Sequence, residues 1–423
     1  MIGVAVGLGN VWRFPYMVGE FGGASFVLVY VLLTLLVGLP ALIAEWALGR
    51  STRRGPAGAL QIAGLPGGRV LGWVLFGVIT IAAGYYNNAI GWVLYTTVGQ
   101  AAHLVGLPWK EGAVLPPDSG LDVQSLTLQL ICTGSVLAGL IVVVIRGLRS
   151  GIERVSKIFM PILFISLVIL IARSLTLEGA EAGVAWYILK FEVAAWTPTV
   201  LLAAMGQVFF SLSLGGTFMV VYGSYLERKE NLGRMAIWTA AGDLCAGLLA
   251  GLAIFPAVFA FGLEPQSGPG LLFFTLPNVF GEMPFGAVFG LVFFAGLLSA
   301  GFLSGLAAFE VAVASLIDNT SLTRRSAAWL LGGAIYLVAI PPMINMEIFV
   351  PWDLTFGAGM QAFGSLLAVL AFAWTLKRAK ALRELGGGMR WLYLWLRFAV
   401  PAAILAIGVW WLLTEALGVV SVD

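Results

Sequence analysis

The residues best placed to do chemistry stand where an apolar helix should have none. Gly7-Leu8-Gly9-Asn10 interrupts the apolar opening of the chain, and Trp12, Arg13, Phe14 and Pro15 follow. A plain membrane anchor needs none of these. A second interruption runs through Ser211, Ser213, Gly215 and Gly216 in "FSLSLGGTF". A lone acid, Asp243, sits inside "AAGDLCAGLLAG". Broken helices free carbonyls, which can hold a cation, and expose helix N-termini, which attract an anion. Together they make a site for Na⁺ beside a carboxylate. Gly7 and Gly9 alone could simply allow close helix packing. Asn10, Arg13 and the second break argue for a binding site instead, because unwound backbone at membrane depth is tolerated only where it lines a cavity or is buried in protein.

Other chemistries find little support. The single histidine, His103, leaves no histidine-based metal site or catalytic dyad. Cys132 and Cys245 both lie in apolar runs and read as packing residues. No nucleophile–base set or cofactor motif is visible, so the chain does not read as an enzyme. A net charge of +2 gives no support for a nucleic-acid partner.

The elements that must position these residues are membrane spans. The 423 residues are 60% hydrophobic and 10% charged, with mean hydropathy +0.98. Apolar runs of helix-spanning length recur throughout, and the alternation of a β-barrel is absent. Eleven candidate spans centre on residues 1–21, 24–48, 70–100, 125–145, 157–174, 197–224, 237–262, 285–317, 327–345, 353–376 and 393–419. The fold class is therefore all-α and polytopic, with the lipid bilayer as partner. Basic residues gather after spans 2, 4, 6, 8 and 10, as in Arg50, Arg53 and Arg54 or Arg146, Arg154 and Lys157. The other face carries mainly acids, including Glu111, Asp118, Glu178 and Glu347. The positive-inside rule then sets the N-terminus in the cytoplasm. The two interrupted spans, 1 and 6, are five apart. That offset predicts two five-span halves of opposite orientation, residues 1–174 and 197–376, with 393–419 an additional helix.

"GLGNVWRFPY", "EFGGASFVLVY", "EWALGR", "GIERVSKIFMP" and "GQVFFSLSLG" closely resemble the neurotransmitter:sodium symporter family, in particular its bacterial amino-acid members. The resemblance runs the length of the chain. It implies a first sodium site from the Ala5 carbonyl, Asn10, Ser211 and Asp243, with Asp243 supplying the negative charge that animal relatives take from chloride. Chloride independence is the expectation. A second sodium site would use the carbonyls of Gly3 and Val6, the Ala300 carbonyl and Ser304. Leu303 departs from the family there, since leucine offers no ligand, so one or two sodium ions are possible. A shifted match would use Ala295 and Ser299, but Asp318 falls at the inner-gate acid only when Ser304 is the ligand. The resemblance places the substrate carboxylate on the Leu8 and Gly9 amides and Tyr86, and its amino group near Phe210, Ser211 and Ser213. Val4, Ala82, Phe210, Gly216, Ser304 and Ala308 would line the rest of the pocket. Gly7 stands where monoamine carriers have an acid, so the substrate should be an amino acid, and the small wall residues favour a large hydrophobic or aromatic one.

Arg13 and Asp353 match the outer gate with Phe210 as its lid, and Gly151 and Pro161 match a helix that unwinds near the second sodium site. Relatives carry an upstream half-helix whose arginine pairs with the inner-gate acid. The residues before the first break are short for this, so a trimmed or mis-assigned start is expected, leaving Asp318 without that partner. The implied function is sodium-coupled amino-acid symport in a prokaryotic plasma membrane. The alternatives are a proton-coupled or single-sodium carrier, or a non-transporting binding protein of the same fold.

Overall fold

The computed structural model describes residues 6–147, 151–192, 195–265, 272–273, 275–282, 284–411 and 413. Gly3, Val4 and Ala5, assigned above to sodium and substrate, lie outside the described residues. Every regular element among the described residues is helical. Eight stretches are long and apolar enough to cross a membrane: 24–52, 68–104, 123–145, 153–175, 232–260, 286–319, 346–375 and 387–406. The other three expected spans are the two interrupted ones and the shorter helix Arg324–Ala339. The chain is a multi-pass membrane protein.

Polar caps set where many spans begin. Asp122 accepts from the Gln124 and Ser125 N–H groups, Asn231 from Arg234, Thr323 from Ser326 and Asn345 from Ile348. Each satisfies N–H groups that the first helical turn leaves without an intrahelical partner. This is why span 7 starts at Leu232 and span 10 at Met346, ahead of their apolar windows at 237 and 353.

The two breaks differ in kind. In span 6, helix Pro198–Ser211 stops and Phe218–Tyr225 resumes. Between them Ser213, Gly215 and Gly216 take left-handed φ values of +53°, +143° and +67°. Glycine is needed at the last two: a Cβ on Gly216 would stand 2.4 Å from the Gly364 carbonyl oxygen, besides the strain of its φ. In span 1 the sequence predicts unwinding across Gly7–Asn10, but only Val6 and Gly7 are non-helical there. Helix begins at Leu8, widens into a π-helical turn over Gly9–Arg13, and continues as Phe14–Phe21. The expected unwinding through Leu8–Asn10 is therefore not met: a π-helical turn, a feature frequent at functional sites, stands in its place.

The buried apolar side chains form two clusters, and span 1 divides between them. Leu8 and Trp12 join the cluster built largely on spans 3, 4, 8 and 9. Phe14 and Val18 join the one built largely on spans 2, 6, 10 and 11. The second half of span 6 lies hard against span 2: a Cβ on Gly49 would meet the Val220 carbonyl oxygen at 2.0 Å. The site sits where the broken spans pass between the two clusters.

Candidate functional site

Asn10 is the knot. Its side-chain oxygen accepts the Gly7 N–H at 2.9 Å. Its amide nitrogen donates to Ser211 Oγ at 3.0 Å, to Asp243 Oδ1 at 2.7 Å and to the Asp243 carbonyl at 2.9 Å. Ser211 also donates to Asp243 Oδ1 at 2.7 Å, and Tyr30 donates to Oδ2 at 3.0 Å. One buried amide thus joins spans 1, 6 and 7, and the three expected first-site side chains come together. An acid with no exposure at this depth is costly unless paired or hydrogen-bonded, and marks a functional position. The donors present, carboxylate and hydroxyl oxygens, are the hard ligands that an alkali cation takes.

Ser304 and Ala300 face span 1. A Cβ on Gly7 would stand 1.6 Å from Ser304 Oγ and 3.6 Å from the Ala300 carbonyl oxygen. Ser299 turns its hydroxyl onto its own helix at Ala295, which favours the ungapped match over the shifted one. Val6, next to Gly7, and Leu303, next to Ser304, are both buried, and the Leu303 side chain carries no ligating atom.

A cavity opens beside Ser211, the partner of Asn10. Gly7, Gly9, Ala82, Tyr86, Phe210, Ser211, Ser213, Ser304 and Ala308 all line it. The Tyr86 hydroxyl faces Ser304 and the Leu8 amide. One assigned residue falls elsewhere, and another offers its backbone alone, as expected. The Leu8 side chain lies against Gly301 on span 8, so only its backbone is available to a ligand. Gly216 lies behind the cavity against Gly364, because its tight turn carries it away from the opening.

Over the cavity, Arg13 places its guanidinium 4.8 Å from the centre of the Phe210 ring, and Phe210 lies 6.2 Å from Tyr86. Arg13 Nε is 3.9 Å from Asp353 Oδ2, and Nη1 donates to Gln207 at 2.8 Å. Gln207 in turn donates to the Gly9 carbonyl at 2.9 Å. The expected gate residues are therefore assembled around a glutamine that sequence reasoning passed over. Asp318 accepts the Gly55 N–H at 3.0 Å. Gly55 is the residue before the short helix Pro56–Ile62, on the loop after span 2.

Three further charged or polar positions were not anticipated. Glu45, with no exposure, accepts the Gly215 N–H at 3.0 Å and so holds the span 6 break from span 2. Glu310, also unexposed, is met on both carboxylate oxygens by Arg324, which donates to the Val144 carbonyl as well. Tyr30 reaches Asp243. An acid inside an apolar run is the signal that could have flagged Glu45 and Glu310, as it flagged Asp243.

Two interrupted spans, a cavity between them and an oxygen cluster at their crossing are the architecture of a secondary transporter. The chain belongs to the sodium:neurotransmitter symporter family, whose model matches residues 1–116 and 118–413. An uncharacterized sodium-dependent transporter of Bacillus subtilis is 36% identical over 427 residues, covering 96% of this chain and 93% of that protein. An uncharacterized sodium-dependent transporter of Haemophilus influenzae is 32% identical, covering 81% of this chain and 77% of that protein. The crystal structure of MhsT in complex with L-phenylalanine superposes with a TM-score of 0.87 at 34% identity, covering 96% of each chain. Sodium-dependent transport, not catalysis, is the activity of this family.

Proposed function

We propose that the chain is a sodium-coupled amino-acid importer that works by alternating access and needs no chloride. The observation that carries the reading is the Asn10–Ser211–Asp243 cluster set directly against the cavity. Sodium held by Ser211, Asp243 and Asn10 would draw the substrate carboxylate toward it. The Leu8 and Gly9 amides stand in the first turn of a helix, where N–H groups lack intrahelical acceptors, and with Tyr86 they suit a carboxylate. Carbonyls of the span 6 break near Ser211 and Ser213 suit the amino group. Gly7 offers no acid to an amine, so the substrate brings its own carboxylate. Ala82, Ile79 and Ala308 make an apolar, roomy wall that suits a large hydrophobic or aromatic side chain. The L-phenylalanine held by MhsT supports this class.

Asp243 provides a fixed negative charge beside sodium, which removes the need for a chloride ion. Closure of Phe210 and the Arg13–Asp353 pair occludes the site from outside. Release inward would follow parting of the contacts around Asp318 and unwinding near Gly151 and Pro161. The halves 1–174 and 197–376, with 393–419 added, would rock about the site, with the N-terminus in the cytoplasm of a prokaryotic cell. Ala300, Ser304 and Val6, with Gly3, would hold a second sodium. Leu303 favours a second reading in which only one ion is coupled.

The test is radiolabelled amino-acid uptake into proteoliposomes under an inward Na⁺ gradient, with chloride replaced by gluconate. Accumulation that needs sodium, ignores chloride and is best blocked by Trp, Tyr, Phe or Leu is expected. Binding without sodium-driven accumulation would overturn the symport reading.

A further inference from the structure

We infer that Gln361 reads the far end of the substrate side chain, and that the preferred substrate carries a hydrogen-bond donor there, as an indole N–H or a phenol O–H does. This rests on the amino-acid reading above and deepens it. Gln361 lies on span 10 and lines the main cavity beside Ile79 and Ala82. The same three residues line a second, smaller cavity that continues beyond the first. Gln361 therefore stands at the junction of the two. Its Oε1 is buried and has no donor among the described residues. Its backbone is held against the span 6 break, where a Cβ on Gly215 would meet Gln361 Cα at 3.3 Å.

The direction follows from span 3. Tyr86, at the carboxylate end, and Ile79, at the junction, are two helical turns apart, about 10 Å at 1.5 Å per residue. An aromatic amino acid anchored at Tyr86 lays its ring along Ala82 and brings its far edge to Gln361. The side chains around that edge are mainly apolar, Thr217 being the polar one of the second cavity, and among the described residues none donates to Oε1. A buried acceptor without a donor is costly, so a substrate that supplies one is favoured over an isostere that does not. Phenylalanine and leucine fill the volume but leave Oε1 unpaired. Tryptophan and tyrosine fill it and pair it.

The experiment compares kcat/KM for sodium-driven uptake of Trp, Tyr and Phe by the full chain in proteoliposomes. It adds 1-methyl-tryptophan and O-methyl-tyrosine, whose donors are blocked. Wild type is expected to favour the better of Trp and Tyr over its methylated counterpart and over Phe by about tenfold, the worth of one buried hydrogen bond. Which of the two wins identifies the donor. In Gln361→Leu or the similarly sized Gln361→Met, that preference should collapse to near unity. Ratios within one preparation cancel differences in the amount of folded protein, and the methylated substrates test wild type even where a variant does not fold. Equal uptake of free and methylated substrates by wild type, or an unchanged preference in the variants, would overturn the role of Gln361 while leaving amino-acid transport standing. Absence of any sodium-driven uptake of these substrates would overturn the amino-acid reading, and this inference with it.

Discussion

Asp243 offers the sharpest test of how the ion site works. Its carboxylate receives Asn10, Ser211 and Tyr30, three donors from three other spans. Asp243→Asn keeps the shape but has two effects. It removes a unit charge beside the proposed sodium, worth about 4 kcal/mol for charges about 4 Å apart at an effective dielectric near 20. It also turns an NH₂ toward one of the donors, leaving that donor unpaired at about 1–3 kcal/mol. The first term alone corresponds to about a thousandfold weaker sodium binding. With relaxation of the site, at least a thirtyfold rise in the sodium concentration for half-maximal uptake is expected, at about 2 kcal/mol. Asp243→Ser differs in kind. It leaves space into which Asn10, Ser211, Tyr30 and the new hydroxyl all point, a set of donors that suits an anion. Uptake by this variant should be weak in gluconate and restored in chloride, while wild type responds to neither exchange. The assay is sodium-activated amino-acid uptake in proteoliposomes in the two anions. If both variants keep the wild-type sodium response and neither responds to chloride, the electrostatic reasoning is wrong and Asp243 serves only to tie spans 1, 6 and 7 together.

Other outcomes follow from the same geometry. Gly7→Ala places a methyl 1.6 Å from Ser304 Oγ and should abolish uptake; adding Ser304→Gly should restore thermal stability but not sodium coupling, read by melting temperature and uptake in parallel. Asp353→Asn removes the partner of a buried Arg13 and should lower uptake about tenfold with a smaller effect on equilibrium substrate binding, since the gate acts after binding; an equal loss in both measurements would remove Asp353 from the gate. Glu310→Gln leaves the partly exposed Arg324 without its acid and should cost about 1–3 kcal/mol of stability, whereas Glu310→Gln with Arg324→Met should recover most of it. Unchanged melting in the single variant would show that the pair is not holding spans 8 and 9 together.

What could be read from the chain was what stood out chemically against an apolar background. Asn10, Arg13, Ser211 and Asp243 interrupt runs that membrane burial would otherwise keep apolar, and the structure joins Asn10, Ser211 and Asp243 and sets Arg13 over the neighbouring Phe210. Gly215 and Gly216 were legible for the same reason, as glycines clustered where a helix should continue. Span ends were less legible, because Asn231 and Asn345 cap helices several residues ahead of the apolar windows that betray them. The loops after spans 2 and 10 were read only as basic links. They contain the short helices Pro56–Ile62 and Arg378–Leu385, the second fixed by Glu384 pairing with Arg50 at 2.7 Å. Glu45 shows where reading along a chain stops. Its type and burial could be anticipated, but its partner, the Gly215 N–H, lies 170 residues away and exists only because span 6 breaks.

In the proposed function, coupling between ion and substrate would rest on these contacts. Asn10 is bonded to Gly7 in its own span, to Ser211 in span 6 and to Asp243 in span 7. Gln207 carries the Gly9 carbonyl to Arg13, and Arg13 stands over Phe210, the cavity's lid. Whatever orders Asn10 therefore also orders the Gly7–Gly9 backbone that forms the cavity wall, and whatever fills the cavity bears on the same backbone. A free energy shared in this way is reciprocal: if sodium tightens substrate binding by a given factor, substrate must tighten sodium binding by the same factor. The chain Asn10–Gly7–Gly9–Gln207–Arg13 is short, buried and continuous. On the proposed function, this continuity would let an ion gradient be felt at the gate without a separate relay.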